Sequence, residues 1–64
     1  MARQFLIYPS ADGKYTVNDD ETDAAHTFLG LVDAIAFVRR QRGGETVLIT
    51  FHDTEGRKTY SDWV

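Results

Sequence analysis

A single helical stripe sets the main constraint on this chain. Leu31, Ala34, Ile35 and Val38 stand at offsets 0, 3, 4 and 7, which puts them on one face of a helix. The other apolar residues alternate or fall in short runs, the pattern of strands. One helix can cover one face of one sheet. The reverse face must then meet water or another molecule.

The helix is predicted over residues 31–42. Gly30 stands at the N-cap, and Asp33 lies in the first turn near the positive end of the helix dipole. Arg39, Arg40 and Arg42 crowd the last turn, where positive charge is favoured. Gly43 and Gly44 end the helix, Gly43 supplying the left-handed position just past it. Val32 and Phe37 fall on opposite flanks of the stripe.

Residues 4–8 are short and dense in β-formers, and Pro9 is expected to stop their ladder because it has no N–H. Ser10, Ala11, Asp12 and Gly13 form a turn, after which residues 14–18 alternate through Tyr15 and Val17. Asp19, Asp20, Glu21 and Asp23 follow with no apolar period, the mark of a solvated loop. Residues 24–28 allow a short extra strand with little alternation to support it. Residues 45–52 read as the strongest strand, with Val47, Ile49 and Phe51 on one face. A turn over residues 53–56 returns the chain as a strand over 57–61.

The predicted order is ββαββ in one domain, residues 1–64. The fold class is α+β: a two-layer sandwich, an antiparallel sheet built from two hairpins with one helix packed on one face. Phe5, Ile7, Tyr15, Val17, Val47, Ile49, Phe51 and Tyr60 can share the face that meets Leu31, Ile35 and Val38. Leu6, Tyr8, Lys14, Thr16, Leu48, Thr50, His52 and Thr59 are left on the other, a mixed and semi-apolar surface.

Composition narrows the function. Seven basic residues against ten acidic give a net charge of −3, which disfavours a nucleic-acid binder. With no cysteine there is neither a disulfide framework nor a thiolate metal site. No apolar run is long enough for a membrane span, and residues 1–8 lack the pattern of a signal peptide, so a cytoplasmic domain without a membrane partner is expected. At 64 residues the core is thin, and small domains often recruit a second copy.

Asp12, Gly13, Lys14 and Tyr15, then Phe28, then Asp33, Ala34 and Ile35, stand in a recognisable order. Val47 to His52, Gly56 and Arg57, and Thr59 and Tyr60 complete the series. This order resembles a family of small bacterial domains known as domain of unknown function 2188. The likeness covers nearly the whole chain and is made of core and turn positions. Tyr15 stands where such domains tend to carry Trp, Gly30 where a Ser or Thr caps the helix, and Glu55 where Asp is more usual. The resemblance implies the ββαββ fold and brings no assigned activity. More loosely, residues 15–37 are similar in outline to the sheet-first DNA-binding domains of some integrases and plant transcription factors.

Catalytic chemistry has little to work with. Ser10 and Ser61 lie outside any Gly-x-Ser-x-Gly elbow, and the glycine pair follows the helix instead of opening it, which is wrong for a phosphate loop. His52 beside Asp53 has the residue types of an oriented base, but a sheet-face histidine is the plainer expectation, as it is for His26. The acidic run lacks the glycine and distal glutamate of a calcium loop. No enzyme activity, cofactor or metal is therefore expected. The expected function is a small non-catalytic interaction module, binding a second copy of itself or another protein through the uncovered sheet face or a strand edge. The candidate interface is Leu6, Tyr8, Leu48, Thr50, His52, Phe37 and Trp63. The alternative is a nucleic-acid contact through Lys14, Arg39, Arg40, Arg42, Arg57 and Lys58.

Overall fold

The computed structural model describes residues 3–10 and 12–64; Ala11 of the first turn lies outside them, as do Met1 and Ala2. Among these described residues five strands and one helix follow in the order β1 (Gln4–Pro9), β2 (Tyr15–Asp19), β3 (Ala24–Phe28), α1 (Leu31–Gln41), β4 (Leu48–His52) and β5 (Lys58–Trp63). The strands form one sheet in the order β3-β2-β1-β4-β5. Three of the four pairings, β1–β2, β2–β3 and β4–β5, are antiparallel and join strands adjacent in sequence, but β1 and β4 run parallel at the centre.

That central pair corrects the expectation of an all-antiparallel ββαββ sheet, and the cause is β3. Two strands before the helix would return β4 antiparallel to β1. A third strand reverses the chain once more, so α1 starts at the opposite end and β4 sets out from the same end as β1. The crossover of a parallel pair is then supplied by β2, β3 and α1.

Local chemistry fixes the boundaries. Pro9 is the last residue of β1, paired with Tyr15, and does not stop the ladder before it. Its missing N–H costs nothing, because the β1–β4 pairing ends at Ile7 and Phe51. Gly30 caps α1 through its extended backbone without a side-chain hydrogen bond, and Arg42 is the C-cap. Gly43 takes φ 68°, the left-handed turn that the sequence predicts there. β4 begins at Leu48, later than expected, though Val47 already exchanges two 2.9 Å main-chain bonds with Val64.

Phe5, Ile7, Val17, Ala34, Val38, Val47 and Ile49 are buried between sheet and helix, with Tyr15, Phe28, Leu31, Phe37, Phe51 and Val64 packed around them. Two residues expected in this layer lie outside it. α1 sits nearest β2 and β3, so Tyr60 on β5 is 58% exposed. Ile35 instead lines a shallow groove of about 420 Å³ with Val32, Ala36, Arg39 and Arg40.

The acidic run also departs from a solvated loop. Asp19 is the last residue of β2 and is buried. Its carboxylate pairs with the Arg3 guanidinium and accepts the Glu21 N–H at 3.0 Å. Arg3 also donates to the Gln41 carbonyl at 2.8 Å, closing the C-terminal end of α1, and lies 4.9 Å above the Phe5 ring. The hydrogen bond from Arg3 holds Asp19 below the usual carboxylate range, against the pull of burial. The same bond pushes Arg3 further above its ordinary value.

Candidate functional site

Strand alternation gives the sheet two unlike faces. The inner face carries the core. On the outer face the register sets Gln4 beside Leu48 and Leu48 beside Trp63. In the next row Asn18, Leu6, Thr50 and Ser61 lie side by side. In a third, Thr27, Thr16 and Tyr8 follow one another, and the Tyr8 ring stacks on His52 with centroids 4.3 Å apart and planes at 19°. Helix α1 lies against the opposite face.

Polar groups on this face largely bond to one another. The Gln4 amide donates to the Thr50 hydroxyl at 2.8 Å, and the Ser61 hydroxyl donates to the same oxygen at 3.3 Å. Thr50 is 3% exposed on a face that no other element of the described residues covers. The Thr16 and Thr27 hydroxyls are 3.4 Å apart. Such a surface can be desolvated at low cost, since few of its polar groups lose water partners they depend on. Asn18 Oδ1 and His52 Nδ1 are exceptions, buried with no hydrogen-bond partner among the described residues.

Six of the seven candidate interface residues, Leu6, Tyr8, Leu48, Thr50, His52 and Trp63, are thus brought together. Trp63 is 55% exposed at the β5 edge. Phe37 is not among them. It lies on the helix side, 4.7 Å from the His26 ring and 5.1 Å from Phe28.

The candidate cations do not share a surface. Lys14 sits 3.7 Å from Asp12, and Arg57 lies 3.3 Å from Asp53 and 2.6 Å from Glu55. Because β1 and β4 are parallel, these turns stand at one end of the sheet, with Lys58 at the start of β5. Arg39, Arg40 and Arg42 stand at the other end, where α1 finishes beside Arg3; Arg42 donates to the Glu45 carbonyl at 2.9 Å.

Asp53 is committed to its turn. One carboxylate oxygen accepts the Glu55 and Arg57 N–H groups at 2.9 Å each, and the other faces the Arg57 Nε at 3.3 Å. The Arg57 main-chain bond leads the causes that hold it below the usual range. His52 is stacked on Tyr8, and the Ser10 hydroxyl bonds Asp12 within its own turn. Among the described residues no three His, Asp or Glu side chains converge as metal ligands, and no helix is long and apolar enough to cross a membrane.

Sequence reasoning missed Arg3. It precedes the first strand, and its partners Asp19 and Gln41 are 16 and 38 positions away. Only the place of Asp19, first in the acidic run and in step with the alternation of Tyr15 and Val17, hints at a buried partner. Comparison of the chain with protein-family models, with curated proteins and with solved structures finds no significant match.

Proposed function

We propose that the chain is a small non-catalytic module that binds a second copy of itself, outer sheet face to outer sheet face. The observation that carries this reading is the clustering of Leu6, Tyr8, Leu48, His52 and Trp63 around a Gln4–Thr50–Ser61 hydrogen-bond cluster that is already satisfied. Aromatic rings and aliphatic groups supply the apolar contact, and Trp63 is a residue type favoured as an interface anchor. We also group the chain with the domain of unknown function 2188 family, on the turn and helix residues that carry the resemblance.

Size sets the strength of the contact. The molecule extends 32 × 21 × 19 Å, so its broad face offers roughly 670 Å². A stable pair buries about 800 Å² on each partner. The total surface of 4271 Å² is close to the ~4,200 Å² expected for a monomer of 7.3 kDa. Pairing therefore adds to a fold that stands alone, and the dimer is weak, with dissociation in the micromolar range or above (about 8 kcal/mol or less).

Sedimentation equilibrium tests this. The expected mass rises from 7.3 kDa toward twice that value with concentration. Trp63→Glu moves the midpoint upward about tenfold or more, the loss of one anchor. Val32→Lys, on the exposed far side of the helix, leaves it unchanged. A monomer at every concentration, or equal effects of the two substitutions, overturns the proposal.

A further inference from the structure

The two edges of the sheet are not alike. At the β5 edge the outward main-chain positions are Ser61 and Trp63, because Val64 and Val47 exchange bonds and alternate residues point the other way, as far as the register shift at Thr59. That edge is protected. Asp62 accepts the Trp63 N–H at 2.9 Å, the pairing shifts register between Phe51 and His52, and Lys58 and Asp62 put charge on the strand.

The β3 edge has none of these devices. The Asp20 N–H bonds the Gln4 carbonyl at 3.1 Å, so residues 16, 18 and 20 face β1 and residues 15, 17 and 19 face β3. Their partners Phe28, His26 and Ala24 face back. The N–H and C=O groups of Ala25 and Thr27 therefore point away from the sheet, with no partner among the described residues. The strand Ala24–Phe28 contains no Lys, Asp, Glu or Pro.

We infer that the β3 edge is a strand-addition site for an extended segment of another protein, apolar in its middle and basic toward its C-terminal end. Antiparallel addition continues the β2–β3 pattern and lets Ala25 and Thr27 make four main-chain bonds. On the helix side His26, Phe28 and Phe37 form an aromatic shelf, and the incoming residue opposite His26 rests an apolar side chain on it. An antiparallel segment carries its C-terminal end past Ala24 to the loop with Asp20, Glu21 and Asp23, all exposed. Among the described residues, only Glu21 of these three has a cation within ion-pair distance, Arg3 at 3.8 Å. Basic residues there complete the charge pattern. Face-to-face pairing of two copies leaves this edge open, so the site does not depend on the dimer.

The test uses the whole chain and a labelled, end-blocked peptide that alternates valine and threonine and finishes in three lysines. Binding is followed by fluorescence anisotropy and by amide chemical shifts. The largest shifts and slowest exchange are expected at Ala25 and Thr27. A twin peptide ending in three glutamates binds roughly tenfold more weakly, the effect of several exposed charge pairs. The Asp20→Lys, Glu21→Lys double variant reverses that preference. Thr27→Pro deletes an outward N–H without touching the β2 ladder, and it abolishes binding while the fold is kept. The inference is overturned if neither peptide binds, or if both bind equally. It also fails if the shifts map to Ser61 and Trp63 or to the outer face. Slow exchange of Ala25 and Thr27 in the free protein at dimer-forming concentrations assigns the edge to a second copy and refutes it equally.

Discussion

Asp19→Asn removes one charge from the ion pair at the end of β2 while keeping the shape of the side chain. Asp19 is 6% exposed, and its Arg3 partner retains 21% exposure of its side chain. Breaking a fully buried pair from one side costs 3–5 kcal/mol, and the partial exposure of Arg3 brings the expected loss to about 2–3 kcal/mol. In a domain of this size that lowers Tm by roughly 10–20 °C. Arg3→Met keeps an apolar stem over Phe5 but loses both Asp19 and the Gln41 carbonyl. The double variant is expected to lose less than the two singles together, with a coupling of about 1–2 kcal/mol. Urea denaturation followed by circular dichroism measures all three. pH adds a second readout. Asp19 ionises at a lower pH in the folded chain than in the unfolded one. Its contribution is therefore complete above the ordinary carboxylate range near about pH 4 and fades as pH falls through the lower folded value. Asp12, held down first by the Ser10 hydroxyl, and Asp53 act in the same direction, so Asp19→Asn shallows the acid limb of the stability curve without removing it. A loss below about 0.5 kcal/mol, the scale of an exposed pair, refutes the buried-pair reasoning, as does an acid limb identical to that of the parent.

Ile49 is fully buried on a central strand, and Ile49→Ala is expected to cost about 2–5 kcal/mol in chemical denaturation, enough to unfold much of the population at room temperature. Gly43→Ala meets no steric obstacle, since a Cβ there points into open space, but φ 68° is unfavourable for alanine. The expected loss is about 1 kcal/mol from backbone strain, read as a drop in Tm of roughly 4–8 °C.

The helix, its glycine cap and stop, and the alternation of β1, β2 and β4 are legible because each rests on residues close in sequence. Phe5, Ile7, Val17, Val47 and Ile49 all lie on the expected inner face, and the outer-face set follows from the same period of two. β3 is harder to read because Ala24, Ala25, His26 and Thr27 are small or polar, and their pairing with β2 does more to define the strand than their own propensity. Missing that strand reverses the parity of the chain and hence the direction of β4. Phe37 and Tyr60 show a different limit: which sheet half the helix covers is a matter of tertiary packing, and no local pattern encodes it. The Arg3–Asp19 pair is longer in range still, and a carboxylate in an acidic run carries no mark of the one residue that will bury it.

The parallel seam between β1 and β4 also bears on how the molecule assembles. Gln4 lies opposite Leu48 and Ile7 opposite Phe51, while the other three pairings join strands adjacent along the chain. The three-strand meander and the β4–β5 hairpin can each form from nearby residues, whereas the seam requires closing a loop more than forty residues long. The seam is then the late event of folding. On a ribosome, β1 waits with one side unpaired until β4 has been made, and heat is expected to part the sheet along that same line into a meander and a ribbon.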